Sequence, residues 1–264
     1  MVVATDVPAA ALPLRLAQVH RALPVGAVLE LTVPAAGGTD MPCSTGRDPD
    51  AGSDRSWDAD RLVDVVVGAG FDQIQLAGDE DEDAAPGCAL LRVAAVRART
   101  LADLVGPGMG MLVCGLNPSL YAADVGVGFA RPGNRFWPAL RAAGLTQLDR
   151  DPLGLFRTAG IGTTDLVKRA TVAASEVSPA EFAAGLARVE RLCRWLRPRL
   201  LYLVGLQGWR SAVDRRAATG LQPEPLGGVP VYVGPSTSGL NASTQLPGHV
   251  AHLRAAAALA GLGT

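Results

Sequence analysis

Apolar residues recur along the chain with two different periods. In "LPLRLAQVHRAL", residues 12–23, they return every third or fourth position. That spacing predicts a helix over 9–23, with Pro13 near its start. "GAVLELTV", 26–33, alternates and predicts a strand. In "DADRLVDVVVGA", 58–69, Leu62, Val65 and Val66 share one helical face. "FDQIQLA" places Phe71, Ile74 and Leu76 in near-alternation, and "CALLRVAAVRA", 88–98, predicts a further strand. Residues 35–56 are rich in Gly, Asp, Ser and Pro and poor in large apolar side chains, which predicts a mobile loop. "GDEDEDAAPG" predicts an acidic turn.

From residue 100 the alternation of elements is regular. "LADLV" predicts a short helix and "GMLVCGL" a buried strand. "RFWPALRAAGL" follows a capping Asn134 and stops at Gly144, as a helix does. "FRTAGIGTTDLV" leads through a turn into a loop. Ser178-Pro179-Ala180-Glu181 is a capping box with Pro at the first helical position, opening a helix over 179–196. "RLLYLVGL" predicts a second buried strand, "QGWRSAVDRRA" a helix, and "GVPVYVGPSTSGLN" a third strand running into a loop. Residues 246–260 predict a closing helix. Strands alternating with helices imply a mostly parallel central sheet in a three-layer α/β/α sandwich. Ligands of such sheets sit at the carboxyl ends of the strands. The Ser-, Asn- and Gly-rich segments 117–128 and 235–244 both follow strands there.

Composition narrows the class. The chain has 264 residues, 48% hydrophobic and 19% charged, as a globular protein does. It holds no apolar run long enough for a membrane span, and "MVVATDVPAA" lacks the basic and apolar regions of a secretory signal. Cys43, Cys88, Cys114 and Cys193 are far apart and show no metal-ligand spacing, so no metal or other cofactor is expected. Cys114 lies within an apolar run and reads as a core residue. These features lead us to expect a cytoplasmic protein. The formal net charge of −1 is unevenly spread: residues 1–99 carry 8 Lys and Arg against 15 Asp and Glu, and residues 100–264 carry 16 against 10. In the second part every cation except Lys168 is Arg, which suits bidentate contacts to phosphate.

The central question lies in "GLNPSLYAADVGVGFARPGNRFW", 115–137, where a buried strand empties into Asn117-Pro118 and a loop of small residues. This stretch resembles the first motif of the mismatch-specific uracil/thymine DNA glycosylases, G-I-N-P-G followed by F-A-x-P-x-N-R-F-W. "GIGTTDLVKRATVAASEVS" is similar to their middle motif, G-x-T-[NK]-[LM]-V-x-R-x-T. "VGPSTSGLN" is similar to their closing loop. The three motifs occur in the family's order across about residues 105–260.

The resemblance implies a glycosylase domain over 100–264. Its partner would be double-stranded DNA with a base flipped into a pocket, and the protein a nucleoid-associated monomer. The expected activity is monofunctional excision of uracil, with thymine or other modified pyrimidines as further substrates. Asn117 matches the amide that positions water; alone, an Asn before Pro is an ordinary turn residue. Phe129 matches the ring on which the base stacks; alone it reads as core. Ser119, Ala122 and Thr171 match pocket positions, and the small Ala122 and Ala123 leave room for a 5-methyl group. Asp165 departs from the family's usual Asn or Lys. It could accept the base's N3–H, polarise water beside Asn117 with a pKa raised by burial, or cap a turn. Ser236, Ser238, Gly239, Leu240 and Asn241 match the closing loop on DNA, with Leu240 filling the place of the flipped base. Ala242 stands where some relatives have Arg, which weakens reading of the opposite guanine. Lys168 and Arg169 are candidates for phosphate contacts. Phe136 and Trp137 read as core, and His249 and His252 as surface or cap residues. No catalytic His is available, which implies slow turnover.

Residues 1–99 are a small α/β add-on. "VHRALPVGAVLELTV", "GAGFDQIQLA" and "LLRVAAVRAR" loosely resemble the last third of a class I S-adenosylmethionine methyltransferase, without its Gly-rich cofactor loop. An alternative reading of the whole chain is a DNA-binding protein that recognises damaged bases without cleaving them.

Overall fold

The computed structural model describes residues 2–4, 7–35, 56–80 and 89–263. Most of the predicted loop 35–56, most of the acidic turn, and Cys43 and Cys88 lie outside the described residues. The chain divides into two compact units, Met1–Ala98 and Arg99–Thr264.

In the first unit, α1 (Leu12–Ala22) and α2 (Ala59–Gly68) accompany a four-stranded sheet. Its strands are β1 (Val2–Ala4), β2 (Val28–Pro34), β3 (Phe71–Glu80) and β4 (Ala89–Arg97), in the order β1-β2-β4-β3. β1 runs parallel to β2, while β4 lies antiparallel to both β2 and β3. Asp58 opens α2 by accepting the Arg61 backbone N–H at 2.8 Å. Leu12, Leu16, Leu29, Leu31, Leu62, Val66 and Phe71 are buried.

The second unit is built on five strands: β5 (Met111–Gly115), β6 (Ile161–Asp165), β7 (Leu200–Val204), β8 (Gly220–Leu221) and β9 (Val231–Gly234). Their order is β6-β5-β7-β9-β8, parallel except for β8. The segment predicted to be a loop after Phe156 is in fact α5 (Pro152–Ala159) followed by β6. "IGTTD" has too few large apolar residues to signal a strand by itself. It is a strand because it pairs in register with β5, Met111 opposite Ile161 and Gly115 opposite Asp165. "LADLV" is not a helix either. Leu104 makes a single antiparallel bridge to Thr163 at the outer side of β6.

Every residue of β5 and β7 is buried, as expected for strands covered on both faces. Met111 and Val113 pack with Phe136, Trp137 and Leu140 of α4 (Phe136–Ala142) and Leu253 and Ala257 of α8 (Leu246–Leu259). Alternation sends Leu112 and Cys114 to the opposite face. There α6 (Pro179–Leu196) packs against α7 (Leu206–Ala212). The capping box of α6 is formed by Ser178 and Glu181. Cys114 and Cys193 are buried free thiols, and burial raises the pKa of both, that of Cys193 to about 12. One further short helix, α3 (Leu120–Val125), lies within the small-residue loop after β5, with Ser119 as its cap.

Candidate active site

The carboxyl ends of β5, β6 and β9 surround a cavity of about 280 Å³. Its floor and walls include Asn117, Phe129, Asp165 and Thr171, with Ser119 and Ala122 alongside. Ser236, Ser238 and Leu240 reach it from the loop after β9. Three segments far apart in sequence therefore meet at one opening, as parallel strands with right-handed crossovers require.

Asn117 has a defined amide orientation. Its Nδ2 donates to the Arg169 carbonyl at 3.1 Å, to Thr171 Oγ1 at 2.8 Å and to the Pro118 carbonyl at 3.2 Å. The nitrogen is consumed, so Oδ1 is the end left for a ligand or water. The two loops that make this possible are stitched together by backbone. Thr171 N–H donates to Pro118 O and Leu120 N–H to Thr171 O.

Phe129 has φ of 59°, which a bulky side chain rarely adopts. Such strain persists only where the surroundings fix it. Here Trp137 Nε1 donates to the neighbouring Gly128 carbonyl at 2.9 Å, and the Phe129 ring lies 4.1 Å from Phe136. Phe129 thus lies against a buried ring while also lining the cavity. Phe136 and Trp137 are core, as their sequence context suggests.

Asp165, the last residue of β6, is 9% exposed and borders the cavity. A Cβ placed on Gly115 would lie 2.3 Å from Asp165 Oδ1 and 3.3 Å from Phe129 Cζ. Gly115 is therefore the only residue type that leaves room for the carboxyl and the ring side by side. Burial raises the Asp165 pKa to about 6, with Asp103 adding to the rise and Lys168 and Arg188 opposing it. The carboxyl is not a turn cap. The side-chain hydrogen bond to this residue goes to its backbone carbonyl, from Arg188 Nη2 at 2.9 Å.

Behind Asp165 lies an ionic cluster that sequence reasoning missed. Asp103 pairs with Lys168 Nζ and with Arg188 Nη1, each at 2.7 Å, and all three side chains are at most 10% exposed. Thr164 Oγ1 donates to the same carboxylate at 2.7 Å. Burial alone would push the Asp103 pKa up, but its two cations outweigh this and hold it below the usual carboxylate range. Asp103, in the segment read as a helix, and Arg188, in the middle of α6, carry no local sequence signal.

The cluster corrects the expectation for Lys168, whose ammonium is buried on Asp103 instead of being offered to phosphate. Arg169 is likewise engaged, with Glu181 at 2.7 Å and the Glu176 carbonyl at 2.9 Å. That pairing, with Ser178 adding hydrogen bonds, lowers the Glu181 pKa to about 2.

In the closing loop Leu240 is 87% exposed and stands free of the body. Asn241 serves the loop itself: Nδ2 donates to Ser236 O at 2.7 Å, and Oδ1 accepts from the Ser243 N–H and hydroxyl. Gly239 answers to the protein, since a Cβ there would lie 3.0 Å from Gly133 O. Arg135 fastens the loop, its Nη1 donating to the carbonyls of Ser238 and Asn241. His249 is buried, not a surface residue, and burial and Arg135 lower its pKa. His252 Nδ1 lies 2.8 Å from the Tyr232 hydroxyl. Neither His is among the residues lining the cavity.

No cluster of three or more His, Cys, Asp or Glu suited to a metal occurs among the described residues. No helix among them is long and apolar enough to cross a membrane. The site is thus an amide oxygen, a strained aromatic ring and a buried carboxyl at a sheet's mouth, beside a loop with a protruding Leu. The family model of the uracil DNA glycosylase superfamily matches residues 103–258, which span the sheet and every residue lining this cavity except Leu101. The chain belongs to the uracil DNA glycosylase superfamily, whose members are DNA glycosylases acting on uracil-type lesions.

Proposed function

We propose that the protein is a monofunctional glycosylase that removes uracil, and other pyrimidines including thymine, from mismatched double-stranded DNA. Cleavage of C1′–N1 makes the sugar cationic and the base anionic. Such a reaction needs a held water and donors at the departing base more than a strong base. Asn117 supplies the first, because its amide nitrogen is tied down and its oxygen is left to hold water. The base stacks on Phe129, and its edge then meets Asp165 at the ring's rim. In its neutral form Asp165 donates a hydrogen bond to a carbonyl oxygen of the departing base, offsetting the charge that develops there. Leu240 fills the stack vacated by the extruded nucleotide. Ala122, small and buried at the pocket wall, accommodates a 5-methyl group. Lys168 is the only lysine in the sequence, and its ion pair with Asp103 removes it as a Schiff-base nucleophile, which supports hydrolysis without strand cleavage.

The observation that carries this reading is the pinned Asn117 amide opening into the same cavity as Phe129 and Asp165. Single-turnover incubation with U·G, T·G and U·A duplexes, with Asn117→Ala as control, tests it. Release of uracil from U·G, slowed about 10²–10³-fold in the control, is expected. No release at long times would reject it, and cleavage of U·G without T·G would reject the thymine part alone.

The first unit reads best as a methyltransferase-like fragment without that family's Gly-rich cofactor loop. The antiparallel pair β3–β4 after α2 supports this by matching the closing hairpin of such domains. Equilibrium dialysis against S-adenosylmethionine is expected to show no binding.

A further inference from the structure

Beside the base cavity lies a second hollow of about 350 Å³, lined by Ser119, Leu120, Tyr121, Arg131, Pro132 and Val172. Ser119, Arg131 and Val172 also line the first cavity, so the two are continuous over a shared rim. The chemistry of the second hollow differs from that of a sealed core. Tyr121 is 47% exposed and Val172 70% exposed. Tyr121 is the one aromatic among the exposed large apolar side chains of the described residues. Arg131 is exposed, and among the described residues its guanidinium takes part in no ion pair. The rim leads to the closing loop as well. Gly133, two residues past Arg131, abuts Gly239, and Leu240 projects next to that contact.

We propose that this hollow binds the nucleotide next to the extruded one on the same strand, its base stacked on Tyr121 and its phosphate facing Arg131. This rests on the reading of the first cavity as the seat of an extruded base. The occupant follows from continuity and charge. A strand whose nucleotide enters the first cavity must cross the shared rim, and a flat apolar ring beside an unpaired guanidinium matches a base joined to a phosphodiester. Stacking tolerates any base, so the subsite strengthens binding without reading sequence.

The test uses duplexes with a tetrahydrofuran abasic site opposite G and 2-aminopurine placed on its 5′ or 3′ side in turn. The wild-type protein is expected to change the fluorescence at one of the two positions. Tyr121→Ser should abolish that change and weaken binding about tenfold, within the range of one lost stack. Tyr121→Phe should retain both. Arg131→Gln should weaken binding and reduce the slope of log K against log salt by about one ion. A fluorescence change that survives Tyr121→Ser, or no change at either position in a bound duplex, would overturn the subsite. So would a failure to bind either duplex, which would sink the base-cavity reading with it. No step of this assay requires cleavage. Absent uracil release with an intact Tyr121-dependent signal would therefore sink the substrate reading alone.

Discussion

Thr171 Oγ1 accepts the Asn117 amide N–H at 2.8 Å and passes its own proton to the Ala173 carbonyl at 2.9 Å. Toward Asn117 the hydroxyl can therefore only accept, and this fixes which end of the amide faces it. Replacing the hydroxyl by a methyl should release that constraint. Thr171→Val is expected to slow uracil excision about tenfold, the worth of one misplaced hydrogen bond, with little change in DNA affinity. Thr171→Ser should keep most of the rate. Asn117→Ala, which removes the oxygen proposed to hold water, should cost about 10²–10³-fold. Equal rates for Thr171→Val and wild type in single turnover would show that the amide needs no such lock.

Asp165 titrates at about 6 because burial disfavours its charge. A folded pKa above the unfolded value, about 3.9, means that the native state binds the extra proton between those pH values. Its cost to stability is therefore absent below pH 4, grows between about 4 and 6, and is full above. Asp165→Asn should raise stability at pH 8 by up to about 3 kcal/mol and change it little at pH 4. Thermal melts of both proteins across this range check the sign. A gain that grows toward low pH would contradict it.

The same proton governs the proposed chemistry. If neutral Asp165 donates to the departing base, the single-turnover rate should fall as pH rises through about 6. In Asp165→Asn, whose amide donates at any pH, that decline should vanish. A rate that rises through pH 6 would instead assign Asp165 to activating water.

Leu240 is 87% exposed at the edge of the cavity, and the proposed function has it act on the reaction through the duplex. Leu240→Ala should slow excision from a U·A duplex about tenfold or more, because unstacking a paired base costs a few kcal/mol. It should slow excision from single-stranded DNA far less, since no stack is left to fill. Equal losses on the two substrates would place Leu240 at the base itself.

Arg188 and Asp103 are buried partners, and removing Arg188 leaves the Asp103 carboxylate with Lys168 as its remaining cation and the Asp165 carbonyl without its guanidinium donor. Arg188→Met should lower unfolding free energy by about 1–3 kcal/mol, because Lys168 still neutralises Asp103, measured by urea denaturation. It should also slow excision, because Arg188 holds the Asp165 carbonyl at 2.9 Å. A loss below about 1 kcal/mol would mean that water reaches the cluster.

Much of this architecture is local. The β5 and β7 runs, the capped α6 and the closing α8 announce themselves through apolar period and cap residues, because those signals act over a few neighbouring positions. The ordered motifs around Asn117, Phe129 and Leu240 were readable in the same way, as residue types at fixed short spacings. β6 was not. After Ile161 its residues are small or polar, and only pairing with β5 makes them a strand. That pairing carries Asp165 to the cavity and sets its carboxyl beside Phe129 over Gly115. Lys168 changed its role for a related reason. A basic residue in a polar segment looks solvated, and only the approach of Asp103, 65 residues earlier, turns it inward. Sequence determined the elements and the chemistry they carry, since propensity and periodicity are properties of neighbours. Tertiary structure decided which of those groups meet, which are paired and which stay free, because burial and electrostatic pairing depend on distances that no local pattern encodes.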